Sequence, residues 1–379
     1  MKKLVTLVLF LCFVLAQAQT QRTVSSNWTS FSQMIEIESP VKKKFRVIAS
    51  VKVESNDPNA WAGVWASVHT KDDERGFFDN MGDRPVKIND WKSYTVEGTI
   101  DNNSKTLYFG GLCSYNGKFY FDKFELLIEN AKGVFEPWAV LNSSFEAPLK
   151  NGEIPKWDTR ISKEAVVKVK EFKIALDKSS TDGKSSLMLE GSGIKVRPEA
   201  KIGNVEGASP KIGDMISMLE DLKFRVERAV KNMTQYEIDY LHDAEANRIG
   251  ALVMHLAAAE KSYQVFTFEN RELNEEEKKK WDAALNLDQG GRDDFKGHDI
   301  QYYLDIYNEV RAKTIEELKK RDDAWFAEVH QGYDWTNQYC WFHVMEHQSN
   351  HLGQILFLKK RIPSQQKLTL PALPKEIKK

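Results

Sequence analysis

The sequence predicts a two-part chain of the α+β multidomain class: an N-terminal antiparallel β-sandwich of jelly-roll type, then a C-terminal four-helix bundle. Three observations predict it. Apolar residues alternate with polar ones in the first half, they recur at spacings of three and four in the second, and a Gly/Pro-containing stretch divides the two. The 379 residues, 41% hydrophobic and 29% charged, have the composition of globular domains and enough length for two separate cores.

In the first half, Phe45, Val47, Ala49, Val51 and Val53 alternate with Arg46, Ile48, Ser50 and Lys52, the period-two pattern of a half-buried strand. Further short runs follow at 63–68, 92–100, 105–110, 118–121 and 124–129. Turn residues separate them, at Asp57-Pro58, at Asn80 to Asp83 and at Asn116-Gly117. Short strands punctuated so regularly are the mark of a sandwich. The sandwich is assigned residues 19–197, and the segment 137–197 either completes it or starts a second, partial copy.

After a linker at 198–209 the period changes. Ile212, Met215, Ile216, Leu219, Leu222 and Val226 form one stripe of an amphipathic helix. Thr234 with Glu237 is a capping box opening a second helix, and that helix or the next carries Ile249, Leu252, Val253, Leu256 and Ala259. A connection rich in Glu and Lys has room for a short helix or lid. The third stripe runs from Ile300 through Tyr303, Tyr307 and Val310 to Leu318. The fourth spans 336–361 and is stopped by Pro363. Four such segments make a bundle over 210–363, followed by a tail at 364–379.

Lys2 and Lys3 precede an apolar run, Leu4 to Leu15, which ends in Ala16-Gln17-Ala18. This is the pattern of a secretory signal peptide cleaved after residue 18. The expectation is an exported protein, periplasmic or extracellular, with no transmembrane segment. Without the leader, 52 basic side chains face 55 acidic ones, a balance that excludes general nucleic-acid binding. Outside the leader only Cys113 and Cys340 remain, which excludes a disulfide scaffold.

Seven of the eight histidines lie beyond residue 240. His343, His347 and His351 follow one another at intervals of four on the last helix, each step turning the direction by about 40°. His347 and His351 can reach one ion from the same face. His255, in an otherwise apolar run, shares its stripe with Leu252, Leu256 and Ala259 and should point inward. Three neutral imidazoles from two helices suit one divalent ion, zinc or nickel first, manganese or iron also, and leave open positions for water or substrate. The bland alternative is a surface His-x-x-x-His pair and a hydrogen-bonded core histidine. The other ring nitrogen of each ligand needs an acceptor, for which Glu260 and Glu346 are local candidates. His343 is assigned either to a supporting position behind the ligands or to the pocket lining. Neither a His-Glu-x-x-His motif nor paired Glu-x-x-His elements occur.

Two stretches carry a family resemblance. Asp243-Ala244-Glu245-Ala246-Asn247-Arg248-Ile249-Gly250-Ala251-Leu252-Val253-Met254-His255-Leu256-Ala257-Ala258-Ala259-Glu260 resembles the second helix of DinB-like bundle proteins. Phe342-His343-Val344-Met345-Glu346-His347-Gln348-Ser349-Asn350-His351-Leu352-Gly353-Gln354-Ile355 is similar to that family's last helix. The resemblance spans 209–363 and implies His255, His347 and His351 as metal ligands. It departs from the family at Asn350, where a second histidine is frequent. It implies metal-dependent chemistry on small molecules, such as transfer to low-molecular-weight thiols, and a homodimer as one state of assembly. In the first half, Asp90 to Tyr94, Leu107 to Gly110 and Gly117 to Asp122 resemble galactose-binding-like jelly rolls, which implies carbohydrate as a second partner.

The function expected is a metal-dependent transferase or hydrolase acting on a small molecule, with Glu260 and His343 the nearest candidates for general base. Trp335, Tyr339, Trp341, Phe342, Tyr302 and Tyr303 would either wall a substrate pocket or fill the core, and Cys340 is expected to be buried and inert. Trp61, Trp65 and Trp91 would stack on sugar or pack inside the sandwich. The alternative function is a glycan- or partner-binding module with a structural or vestigial metal.

Overall fold

The computed structural model describes residues 22–159, 167–196, 201–203, 205–330 and 332–363. The leader expected at 1–18 and the tail expected at 364–379 lie outside the described residues, as does part of the linker expected at 198–209. The described chain divides into two compact units, the first ending at Ile194 and the second beginning at Lys195.

The first unit is built of β1 (Arg22–Val24), β2 (Trp28–Glu36), β3 (Lys43–Glu54), β4 (Trp61–Thr70), β5 (Arg75–Asp79), β6 (Lys92–Ile100), β7 (Ser104–Ser114), β8 (Gly117–Glu129), β9 (Phe135–Trp138), β10 (Val167–Val169), β11 (Phe172–Asp177) and β12 (Ser186–Gly191). One sheet has the order β11-β12-β8-β3-β6, with β9 also on β8, and a second has the order β2-β7-β4-β5. Every pair in both is antiparallel, and β1 with β10 forms a separate parallel pair. The alternation read in β3 is the burial observed: Phe45, Val47, Ala49, Val51 and Val53 face inward. They share one core with Val64 and Ala66 of β4 and Phe109 of β7, so the two sheets bury their apolar faces in common.

The runs at 118–121 and 124–129 prove to be a single strand, β8. Lys123 interrupts it with φ of 52°, and the buried Asp122 carboxylate accepts from the backbone N–H groups of Lys123, Thr181 and Asp182. The segment after 137 completes the first core: β12 pairs with β8, while Phe145 and Trp157 pack on Phe31. Phe31 touches Phe121, Phe124, Phe145 and Trp157 edge-on, with centroids 5.1, 5.7, 5.8 and 5.2 Å away. Phe31→Ala is therefore expected to destabilise this unit by about 3–5 kcal/mol, read as a lower urea midpoint. An unchanged midpoint would mean that this aromatic cluster contributes little. Trp61, Trp65 and Trp91 are only half-buried; the indole of Trp65 donates to the Gly111 carbonyl at 3.3 Å and that of Trp91 to Ser179 Oγ at 3.1 Å.

The second unit contains α1 (Pro210–Val230), α2 (Gln235–Asp239), α3 (Ile249–Phe268), α4 (Glu275–Asn286), α5 (Gln289–Asp294), α6 (Ile300–Leu318), α7 (Asp323–Ala327) and α8 (Asn337–Lys359). The four long helices α1, α3, α6 and α8 pack on one another. Their apolar stripes meet in two clusters, one around Leu252, Leu256, Tyr303, Tyr307 and Ile355, the other around Ile216, Leu219, Phe326 and Trp341. The Thr234–Glu237 capping box is present, but it opens the five-residue α2, and α3 starts afresh after Arg248. Gly250 near the start of α3 lets α6 approach: a Cβ there would lie 2.9 Å from the Tyr303 ring. The charged connection holds α4, opened by an Asn274–Glu277 capping box, and α5. Among the described residues no helix is long and apolar enough to cross a membrane.

Candidate metal centre

His255 projects from α3, and His347 and His351 from α8 one turn apart. His347 Nε2 lies 2.9 Å from His255 Nε2 and 3.0 Å from His351 Nε2. One ligand atom from each of the three lies within 4.8 Å of the others. His255 is buried, and the other two are partly exposed, so the cluster opens to one side.

The far ring nitrogens show why these atoms turn toward one another. Ala284 lies in the last turn of α4, where carbonyls lack an intrahelical partner, and its oxygen is 2.7 Å from His255 Nδ1. On α8, Gln354 Oε1 is 3.0 Å from His351 Nδ1. Both acceptors require the proton on Nδ1, so the Nε2 lone pairs of His255 and His351 are aimed at His347 Nε2. A single N–H on His347 can satisfy one of them well, whereas a divalent cation satisfies all three. Tetrahedral zinc with bonds of 2.0–2.1 Å would set the nitrogens roughly 3.3 Å apart, close to the spacings observed. The residues fit a divalent ion of the borderline class that imidazole prefers.

Burial lowers the affinity of all three rings for protons. His347 is lowered to about 3, by burial first and then by His351, His255 and His343 around it. Burial depresses His255 and His351 against the opposing effects of the Ala284 and Gln354 hydrogen bonds. The neutral rings required of metal ligands are thus the resting form at pH 7. The same shifts set a stability slope. As pH falls below the unfolded value of about 6.5, the unfolded chain takes up protons that the metal-free fold refuses, so stability is lost downward from there. The metal-free protein is expected to lose up to about 1.4 kcal/mol per pH unit on account of His347 as pH falls from 6.5 to 5, with His255 and His351 acting in the same direction. Urea midpoints at pH 7 and 5, compared with a variant lacking all three rings, would measure this; identical slopes would rule it out.

Glu260 and Glu346 are used differently from the expectation. Glu260, 1% exposed, accepts from Arg311 Nε and Nη2 at 2.7 Å each and from Thr314 Oγ1 at 2.5 Å. Both its oxygens are engaged by the Arg311 guanidinium, and its hydrogen bonds go to Arg311 and Thr314 and not to a histidine. Glu346 pairs with Asn350. Arg311, also 1% exposed, donates further to the Leu219 carbonyl and to Gln348 Oε1, and Gln348 donates to Tyr307 Oη. Burial works against the Arg311 charge, but Glu260 beside it more than offsets this and holds its pKa above the ordinary value. One buried cation thereby ties α1, α3, α6 and α8 together, next to His347 on α8. Sequence reading missed this network. Its signal was a charged and an amide residue, Arg311 and Gln348, at positions flanked by apolar stripe residues.

His343 stands one turn from His347, with ring centroids 5.9 Å apart, and its Nδ1 is 2.7 Å from Tyr263 Oη on α3. Tyr263, which sequence reading did not single out, is pushed up to about 12, chiefly by burial, and remains a phenol. The expected aromatic wall divides into two groups. Trp341 and Tyr303 are wholly buried core, while Trp335, Tyr339, Phe342 and Tyr302 are exposed. Cys340 is buried, and burial raises its thiol to about 11, so it stays protonated.

Solved structures similar to part of this chain include YfiT from Bacillus subtilis, described as a probable metal-dependent hydrolase with an unusual four-helix bundle topology. It is 18% identical and covers 44% of this chain and 93% of its own, with a TM-score of 0.32. A conserved protein from Enterococcus faecalis is 15% identical over 39% of this chain and 94% of its own, with a TM-score of 0.33. One from Streptococcus pneumoniae is 14% identical over 40% and 92%, also with a TM-score of 0.33. No curated protein matches the chain. Residues 214–363, which include all three clustered histidines and most of the helical unit, match the family model described as mycothiol-S-transferase, and in this part the chain is similar to that DinB-like family.

Proposed function

We propose that the helical unit is a metal-dependent enzyme that holds one divalent ion, zinc or nickel, on His255, His347 and His351 and carries out group transfer or hydrolysis on a small molecule. The observation that carries this reading is the convergence of three Nε2 atoms, two of them oriented by Ala284 and Gln354. The likeness to the mycothiol-S-transferase model supports transfer to a low-molecular-weight thiol as one form of the reaction. When bound, the ion supplies Lewis acidity, lowering the pKa of a heteroatom presented to it.

The chain's own residues supply the rest. Three protein nitrogens leave open positions on the solvent side for a substrate. His343, bonded to Tyr263 Oη, stands within reach of that opening and is the group assigned to accept or return the proton of the reacting heteroatom. Tyr263 holds its ring in place through Nδ1. The assigned role predicts that His343→Gln retains metal but lowers turnover by about 10²–10⁴-fold, and that Tyr263→Phe lowers it less. Turnover of a thiol and an electrophilic acceptor with the zinc- or nickel-loaded protein tests this, and an unchanged rate in His343→Gln would remove the assignment.

Export to the periplasm or the extracellular space belongs to the same proposal, resting on the leader pattern in residues 1–18. Carbohydrate binding by the sheet unit is the second reading. It is favoured by the half-buried Trp91, whose ring lies 6.2 Å from that of Tyr120, with the Lys52 ammonium 4.1 Å from the Tyr120 ring. Retention of the protein on immobilised glycans, lost in Trp91→Ala, tests that reading separately.

A further inference from the structure

Four aromatic side chains in and just before the first turns of α8, on the N-terminal side of its histidines, remain about half exposed. Tyr333, Trp335, Tyr339 and Phe342 keep 42%, 44%, 51% and 47% of their surface exposed. They form a continuous row, with centroids 5.4 Å apart from Tyr333 to Trp335, 6.2 Å from Trp335 to Tyr339 and 6.2 Å from Tyr339 to Phe342. Exposed apolar groups scattered singly need no explanation, but a contiguous aromatic row does.

The row is held in place from below. The turn carrying Tyr333 and Trp335 is closed by the His330 N–H to Trp335 carbonyl bond at 2.8 Å. Its His330 ring lies on Phe266 of α3 at 3.7 Å, and Phe266 also meets Tyr333 at 5.2 Å. Phe266 is three residues from Tyr263, the partner of His343. On α8, Tyr339, His343, His347 and His351 succeed one another at intervals of four, so they follow one side of the helix with a slow drift. Tyr339 therefore continues the line of the histidines and acts electrostatically on Tyr263, while Phe342, about 140° round the helix from His347, turns the far end of the row away from it. Tyr339 lies eight residues from His347, or about 12 Å along the axis at 1.5 Å per residue.

We infer that this row is the substrate-recognition shelf of the histidine site, and that it takes an aromatic or planar apolar group carried about 12 Å from the reacting heteroatom. The inference rests on the metal-site reading proposed above and adds the substrate class. Polar residues would serve an exposed surface better than four aromatics, whereas half-exposed rings suit stacking with a planar ligand.

The test uses zinc-loaded full-length protein and two hydroxamates of equal chain length, octanohydroxamate and 8-phenyloctanohydroxamate, with acetohydroxamate as the short reference. Affinities would be measured by calorimetry for the native protein, for Trp335→Ala/Tyr339→Ala and for Trp335→Phe. The expected result is binding of all three compounds and about fivefold to tenfold tighter binding of the phenyl compound than of its alkyl match. That gain disappears in the double variant and is kept in Trp335→Phe, while zinc affinity and melting temperature hold. Acetohydroxamate binding without a phenyl gain, or with a gain indifferent to the double variant, overturns the shelf and leaves the metal site standing. Zinc binding with no hydroxamate affinity overturns the open-site reading and the shelf with it.

Discussion

His347→Ala is expected to weaken zinc binding by at least about a hundredfold, beyond the 10–100-fold typical of losing an outer partner of a ligand. The reason is positional. His347 Nε2 is the atom that both other rings face, at 2.9 and 3.0 Å, so its loss leaves His255 and His351 without a shared centre. Removing the side chain of Gln354 should cost less, because His351 would lose its orientation and not its donor atom. Zinc competition titrations of the two variants give the order directly. Equal small losses would show that the three nitrogens do not act as one donor set.

Breaking the buried ion pair has the second large effect. Glu260→Ala leaves the buried Arg311 guanidinium with only Glu220 Oε1, 3.7 Å away and on a half-exposed side chain, to offset its charge, and about 3 kcal/mol of stability should be lost. The double variant Glu260→Leu/Arg311→Met removes both charges, and it is expected to recover much of that loss because paired removal spares the stranded charge. Metal affinity should fall in the single variant as well, since Arg311 joins α3 through Glu260 to α8 through Gln348, the residue after His347. Urea unfolding of the three proteins decides this. A Glu260→Ala variant of native stability would show that the pair holds nothing together.

Much of this architecture is legible in the residues because it is periodic. The alternation from Phe45 to Val53 places β3 in a sheet, and the stripe from Ile212 to Val226 places α1 in a bundle, since burial of one face is what each pattern encodes. The histidine spacing on α8 likewise brings His347 and His351 to one side. What connects α3 to α8 is less legible. Ala284 enters the site through a backbone carbonyl at the end of α4, and a carbonyl has no sequence signature. Glu260 shows the opposite failure. It lies near His255 in sequence, but its five-residue offset turns it by about 140°, toward α6 and Arg311. A local carboxylate is the natural choice from sequence, while burial beside a guanidinium decides where its oxygens go. Strand β8 shows in the sequence as two runs because the polar pair Asp122-Lys123 interrupts its apolar residues, and in the fold that pair forms a local irregularity within one strand.

The most direct measurement is metal content by elemental mass spectrometry on the untagged protein purified without residues 1–18, beside the His347→Ala/His351→Ala variant. The account predicts about one equivalent of a divalent transition metal in the native protein and none in the variant, with both remaining folded. A native protein that holds no stoichiometric metal after reconstitution with zinc and nickel, or a variant that holds as much, would contradict it.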